Sequence, residues 1–171
     1  MPGDITYGQH ILKFYHMKEQ KIELLLFDSY ISSIKNSAGT KIFRNLYADM
    51  DGKRKDITEN GGNSCALFVS SILVMFGLLK RRHATVKGTL ESMKRSGWTQ
   101  IKRPKMGAAL IWSPLKESSH WHTGFYIGDN KAISNGSEKG VPAKHHWTYG
   151  TKNGKPKRPA ESIWWHKSLD N

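Results

Sequence analysis

The stretch GGNSCALFVSSILVMFGLL, residues 61–79, decides the fold of this chain. Small polar residues open it, and they lead into a run that would be apolar on nearly every side of a helix. The pattern predicts a helix over residues 64–79 that is buried on nearly all its faces. The basic run at residues 80–82 suits the negative end of the helix dipole. The remaining elements must therefore cover this helix.

The single cysteine of the chain, Cys65, lies where the polar loop becomes the helix. A thiol at a helix N-terminus feels the positive end of the dipole and unpaired backbone N–H groups. Both favour the thiolate, which is the reactive form. The competing interpretation is an inert buried cysteine, because free cysteines are among the most buried residues. The small polar residues before the helix favour access to the sulfur, and one cysteine leaves no internal disulfide.

The rest of the chain predicts helices in its first half and strands in its second. Apolar residues at helical spacing predict helices over residues 19–35 and 85–95, and residues 48–63 predict a polar loop. After residue 97, short strand patterns alternate with Gly, Pro and Asn turns. We predict strands at 98–101, 108–112, 122–127, 131–134 and 162–165, a further strand at His145 and His146, and a loop at 151–159. This order indicates an α+β fold with N-terminal helices packed on an antiparallel β-sheet.

Charge and composition limit the partners without choosing one. The chain has 171 residues and a net charge of +13, which favours anionic partners such as nucleic acid, acidic membrane surfaces or wall polymers. After the run at residues 80–82, the densest basic patch comprises Lys152, Lys155, Lys157 and Arg158, with a solvated surface as the alternative. We find no stretch long enough to span a membrane and no signal-peptide pattern. Location stays open between the cell envelope, if the protein is exported, and the cytoplasm.

His122 provides a candidate base in the strand-like stretch WHTGFYIG, residues 121–128. Taken alone, it could be a histidine on a solvated strand face. A cysteine on a helix followed by a histidine on a strand is the order of papain-like cysteine hydrolases. The pair Cys65 and His122 therefore predicts nucleophilic catalysis.

Three stretches together resemble the NlpC-type cell-wall peptidases, papain-like cysteine hydrolases of peptidoglycan related to the CHAP amidases. They are GGNSC at 61–65 with its helix, GW with PKMGAALIW between 97 and 112, and HTGFYIG at 122–128. The resemblance implies a papain-like catalytic core over residues 47–171, with residues 1–46 as an N-terminal helical extension of the same domain. It also implies that Cys65 attacks an amide carbonyl while His122 shuttles the proton.

The family places a third polar residue, which orients the histidine, twelve residues after it, and here that position is Ser134. The neighbouring Asn135 would suit a papain-type Cys-His-Asn arrangement. Ser134 fits the spacing and Asn135 fits the chemistry, while His145 and His146 are further candidates. Because adjacent strand residues point to opposite faces, we expect only one of Ser134 and Asn135 to reach His122.

Other candidate residues surround the nucleophile. Ser64 stands where the family usually has Asp, and Tyr47 lies roughly where it has a tyrosine near the oxyanion site, so both are candidates for oxyanion or substrate binding. The backbone N–H of Cys65 would supply part of the oxyanion hole. His120 and His122 would share a strand face, but the histidines match no zinc spacing. We expect neither a metal nor a cofactor.

These observations predict a monomeric cysteine hydrolase of amide bonds in peptidoglycan, acting as an endopeptidase or amidase on the polymer or its peptide fragments. The basic patch would contact anionic wall polymers. The alternative from another class is a basic binding module on a degenerate papain-like fold, for wall polymer or nucleic acid. Within the enzyme class, an acyltransferase or deamidase of the same superfamily is the alternative.

Overall fold

The computed structural model describes residues 21–115 and 119–170. In these residues the α-helices are α1 (Leu26–Asn36), α2 (Cys65–Met75) and α3 (Val86–Arg95), and a short 3-10 helix spans Lys167–Leu169. Residues 1–20 of the predicted N-terminal extension, including the predicted start of its helix at residue 19, lie outside the described residues. None of the helices in the described ranges is long and apolar enough to cross a membrane.

Ten strands are found in the described ranges, and six of them form the main sheet. Its spatial order is β3-β10-β4-β5-β6-β7, and every neighbouring pair is antiparallel. These strands are β3 (Trp98–Gln100), β4 (Ala109–Trp112), β5 (His122–Gly128), β6 (Lys131–Gly136), β7 (Val141–His146) and β10 (Ser162–His166). Two separate hairpins are formed by β1 (Tyr47–Met50) with β2 (Lys53–Asp56), and by β8 (Thr151–Lys152) with β9 (Lys155–Pro156). The predicted α+β class is confirmed.

Both hairpins lie almost entirely in stretches that the sequence pattern predicts as loops, residues 48–63 and 151–159. The first turns at Asp51 and Gly52, with φ of 55° and 76°. The second turns at Asn153 and Gly154, with φ of 52° and 72°. Two successive residues of positive φ match the right-handed twist of a hairpin. The strands are almost entirely exposed, so no hydrophobic alternation marks them in the sequence.

The helix boundaries differ from the predicted ones at two ends. Helix α1 begins at Leu26 instead of residue 19. Its N-cap residue, Leu25, makes no side-chain hydrogen bond to the first turn. Helix α2 ends at Met75 instead of residue 79, because Gly77 takes a φ of 68° and terminates it. Helix α3 follows its prediction closely, since the Thr85 side chain accepts a hydrogen bond from the Gly88 N–H and caps it.

The core forms around α2, as the apolar stretch predicts. This helix packs against β5 and β6, while α1 packs against α2 and β5, and α3 packs against α2 and β3. Phe68 of α2 is fully buried, with its ring centroid 5.5 Å from that of Phe125 on β5. Tyr30 of α1 lies edge-on to Phe125 at 5.8 Å. The aromatic rings thus join two helices to the central strand.

Tyr30 also makes a buried hydrogen bond that ties α1 to the sheet, because its hydroxyl donates to the Gly107 carbonyl at 2.8 Å. We expect Tyr30→Phe to lower the free energy of unfolding by about 1–3 kcal/mol, since it leaves a buried acceptor unpaired. Urea denaturation measures the change. Tyr47→Phe is the control, because Tyr47 is 52% exposed. Equal stability of the two variants would contradict an anchoring role for this bond.

Candidate active site

The loop before α2 is held by backbone contacts that require small residues. Gly61 has a φ of 93°, and a Cβ there would lie 2.3 Å from the Gly140 carbonyl oxygen. The Asn135 amide donates to the Gly61 carbonyl at 2.6 Å, which clamps the loop against β6. The Ser64 hydroxyl also donates to the Gly61 carbonyl, at 3.2 Å. Gly61 therefore serves to bring the loop before α2 against the sheet.

Asp56 orders the same loop from its other end. Its carboxylate accepts hydrogen bonds from the backbone N–H groups of Leu46, Thr58 and Asn60. Burial raises the pKa of Asp56, but these bonds and those from side chains outweigh it and hold the pKa well below its usual range. The carboxylate is therefore charged at neutral pH and fixes the turn that leads to Cys65.

Cys65 is the first residue of α2 and is half-buried. Burial raises the pKa of its thiol above the usual value, although backbone N–H groups of Thr123, Ala66 and Cys65 and the charge of Arg158 oppose this. The backbone N–H groups at the start of the helix thus favour the thiolate, as the sequence predicts, but desolvation outweighs them and the net shift of the pKa is upward. The hydrogen bond from the Thr123 N–H places the sulfur beside the residue that follows His122.

His122 opens β5 and is held through its Nε2 atom, which lies 2.9 Å from the Ser134 Oγ. Its ring packs against Trp112, with centroids 5.5 Å apart. Burial, with the nearby Arg158 and His145 acting in the same direction, lowers the pKa of His122 to about 3. The imidazole is therefore neutral at pH 7, so the resting site pairs a neutral thiol with a neutral base.

Strand register explains why Ser134 is the residue that reaches His122. Ser134 pairs directly with Gly124 on β5 and with Ala143 on β7. His122 lies two residues before Gly124 and His145 two residues after Ala143, so both imidazoles share the face of Ser134. A Cβ on Gly124 would lie 2.6 Å from the Ser134 Cβ, so the glycine of the HTG stretch makes room for this contact.

Ser134 also contacts two side chains beyond His122. Its Oγ lies 2.8 Å from the His145 Nε2 and 3.4 Å from the Tyr149 hydroxyl. The His145 and Tyr149 rings stack, with centroids 4.3 Å apart and planes at 23°. Burial lowers the pKa of His145 and raises the pKa of Tyr149, so both groups are neutral at pH 7.

The other predicted site residues lie elsewhere. Asn135 is buried and bonds the Gly61 loop, not His122. The Ser64 hydroxyl is buried against the same loop. Tyr47 is on the exposed β1–β2 hairpin, under the Arg54 guanidinium at 3.7 Å. The Nδ1 atom of His146 accepts hydrogen bonds from the backbone N–H groups of Thr148 and Gly150.

An open cleft of about 720 Å³ connects the candidate residues to solvent. Its lining includes Cys65, His122, Tyr149, Arg158 and the half-exposed Trp121. Both side chains of the candidate pair therefore face one ligand-sized space.

Arg158 lies in this cleft instead of the predicted exposed basic patch. Its guanidinium donates two hydrogen bonds to the Ser113 carbonyl, at 2.7 and 3.2 Å, and lies 5.5 Å from the Tyr149 ring centroid. The three lysines of the patch, Lys152, Lys155 and Lys157, are exposed on or next to the β8–β9 hairpin. The sequence gives no local signal for this separation, because it depends on the fold of the hairpin.

Trp112 and Tyr149 also lie at the candidate site, although the sequence does not predict either of them there. Trp112 is fully buried and packs against His122, His145 and Tyr149. Only the pairing of β4 with β5 brings it to the site, so spacing along the chain could not have identified it. Within residues 21–115 and 119–170, no group of three or more His, Cys, Asp or Glu side chains is placed to hold a metal ion.

Known proteins offer no direct assignment for this site. No protein-family model matches the chain, and no curated protein matches it significantly.

The raised pKa of Cys65 predicts a specific pH profile for thiol labelling. We expect the rate of alkylation by iodoacetamide to keep rising above pH 8.5, the approximate pKa of an ordinary thiol. The midpoint is the measured quantity, because burial also slows access. Labelling of the same protein in urea provides the control, since unfolding returns the thiol to water. A folded-state midpoint below the unfolded one would instead indicate a preformed thiolate.

Proposed function

We propose that this protein is a cysteine hydrolase of amide bonds, and that peptides of peptidoglycan are its substrates. The observation that carries the proposal is the shared cleft: Cys65 at the start of α2 lies beside the His122–Thr123 segment, and Ser134 holds His122. A helix-borne cysteine next to a strand-borne histidine supports a papain-like arrangement within this α+β fold.

The neutral pair defines the order of proton transfers. Because the His122 Nε2 is engaged by Ser134, its Nδ1 is the atom that takes the proton from the Cys65 thiol as the sulfur attacks the amide carbon. The C–S bond forms, and the carbonyl electrons move to oxygen. The backbone N–H of Cys65, at the start of the helix, stabilises this oxyanion.

The second half of the cycle returns the site to its resting state. His122 gives its proton to the leaving amine as the C–N bond breaks, which leaves a thioester on Cys65. Water then attacks the thioester, His122 takes a proton from this water, and the carboxylic acid leaves as the proton returns to sulfur. In this scheme His122 alternates between base and acid, which requires a neutral ring at the start.

Peptidoglycan as the substrate rests on two observations. The stretches around Cys65 and His122 resemble those of NlpC-type wall peptidases. The net charge of +13 favours an anionic polymer over a neutral one. An acyltransferase or deamidase would use the same thioester chemistry with another acceptor or leaving group. Product analysis distinguishes these enzymes, because only a hydrolase leaves a free carboxylate and a free peptide amine.

Removal of either member of the pair tests the enzyme proposal. We expect Cys65→Ser and His122→Ala each to reduce turnover of purified peptidoglycan by at least roughly 1,000-fold, and the double variant to lose little more. Release of soluble muropeptides measures turnover. His166→Ala is the control, because this half-buried histidine bonds the Ser96 carbonyl away from the cleft. Independent, multiplicative losses would contradict a joint role.

The exposed lysines of the β8–β9 hairpin are suited to binding an anionic polymer, and their removal tests the alternative proposal of a basic binding module. We expect neutralising Lys152, Lys155 and Lys157 to weaken binding to wall polymer at low salt, because exposed charges act over about 10 Å at 0.1 M salt. Arg158 stays unchanged, since it lies in the cleft. Sedimentation with purified wall material measures binding at increasing salt.

The matched control for this triple variant neutralises the exposed residues Lys35, Lys41 and Lys131. Both triple variants change the net charge equally, so a larger loss from the hairpin variant indicates a local contact. Turnover of a small soluble muropeptide should persist in both. Sequence-selective DNA binding without hydrolysis of any wall fragment would favour the binding module instead.

A further inference from the structure

We propose that His145 is a positioning residue that acts through Ser134 to fix the tautomer of His122, so that the His122 Nδ1 carries no proton when it meets Cys65. The proposal rests on the proposed function for its catalytic consequence. Its structural basis is a chain of three hydrogen bonds that runs from the His146 backbone carbonyl to His122.

The direction of this chain follows from its far end. The His146 carbonyl can only accept, so the His145 Nδ1, 2.8 Å away, must carry a hydrogen and donate it. A neutral imidazole has one N–H, which leaves the His145 Nε2 as an acceptor. The Ser134 hydroxyl, 2.8 Å from that nitrogen, must therefore donate to it.

The hydroxyl hydrogen of Ser134 in turn fixes the protonation of His122. The Ser134 hydroxyl has a single hydrogen, and His145 uses it, so its oxygen can only accept from the His122 Nε2 at 2.9 Å. The His122 Nε2 must carry the N–H. Its Nδ1 is therefore a lone pair, which is the form that a base for Cys65 requires.

Ser134 alone could not specify this tautomer. A hydroxyl rotates freely and can donate or accept, so it would accommodate either protonation of His122. His145 removes the ambiguity because it is anchored to a carbonyl. Burial lowers the pKa of His145, although its bond to the His146 carbonyl opposes the shift. His145 is therefore neutral, with the single N–H that donates to this carbonyl.

Packing holds the chain in this geometry. Tyr149 stacks on His145, and its hydroxyl, 3.4 Å from the Ser134 Oγ, can only donate because the serine hydrogen is in use. Trp112 lies against both imidazoles, with centroid distances of 5.5 and 5.8 Å. The charged group that faces this cluster is Arg158, which disfavours protonation of either ring.

The first experiment compares two side chains of similar length at position 145. His145→Gln keeps an oxygen acceptor for Ser134, whereas His145→Met lacks one. We expect His145→Met to lower kcat roughly 10- to 100-fold with little change in KM, and His145→Gln to recover most of that loss. Ser134→Ala should lower kcat similarly, and its loss should not increase when it is combined with His145→Met.

The second experiment reads the tautomer directly and does not require activity. Long-range ¹H–¹⁵N spectra distinguish a protonated from an unprotonated ring nitrogen, and the His122 signals are those absent in His122→Gln. We expect an unprotonated Nδ1 in the wild type at pH 7 and a mixture of tautomers in His145→Met and Ser134→Ala. The control is His166→Gln, which also removes a ring hydrogen bond but lies outside the network.

The outcomes separate this proposal from the proposed function. A wild-type His122 protonated at Nδ1 overturns the positioning role of His145. So does an unchanged tautomer and kcat in a folded His145→Met variant, whatever the effect of Ser134→Ala. An inactive wild type whose tautomer still responds to these variants supports the hydrogen-bond chain and refutes the hydrolase. Should His145→Met fail to fold by circular dichroism, the Ser134→Ala spectrum decides, because that change removes only a hydroxyl.

Discussion

The pairing of β5, β6 and β7 is the constraint on which the candidate site depends. It puts Gly124, Ser134 and Ala143 directly opposite one another. Because the residues on either side of Ser134 are small, the longer side chains of His122 and His145 can reach its hydroxyl from two directions. A slip of one residue would turn every one of these side chains to the other face of the sheet. The site is thus a property of register as much as of residue type.

Burial is the second factor that determines the chemistry. His122 is partly buried at the wall of the cleft, and this burial together with the nearby charge of Arg158 keeps the imidazole neutral. The same burial keeps Cys65 protonated, despite three backbone N–H groups aimed at its sulfur. In the proposed hydrolase, a neutral thiol beside a neutral imidazole is a resting state in which attack on a substrate requires a base. The hydrogen-bond chain that orients His122 therefore matters more here than it would in a preformed ion pair.

The core and the site share the same helix. Helix α2 buries Phe68 against Phe125, and this packing sets the height of the helix N-terminus above the sheet. The loop before it is fixed separately, by backbone contact between Gly61 and Gly140 and by the Asn135 amide. Asn135 thus contributes to the position of Cys65, although its amide bonds the loop and not His122.

Local patterns in the sequence determined the α+β class, the buried helix α2 and the locations of Cys65 and His122, because helical and strand periodicities depend on neighbouring residues. Alternation along β6 also indicated that only one of Ser134 and Asn135 could reach His122. Only the pairing of Ser134 with Gly124 decided which of the two reaches His122. Only the fold around the β8–β9 hairpin decided that Arg158 lines the cleft. The sequence could not indicate the upward shift in the pKa of Cys65 either, because desolvation is the sum of many distant contacts and no local pattern encodes it.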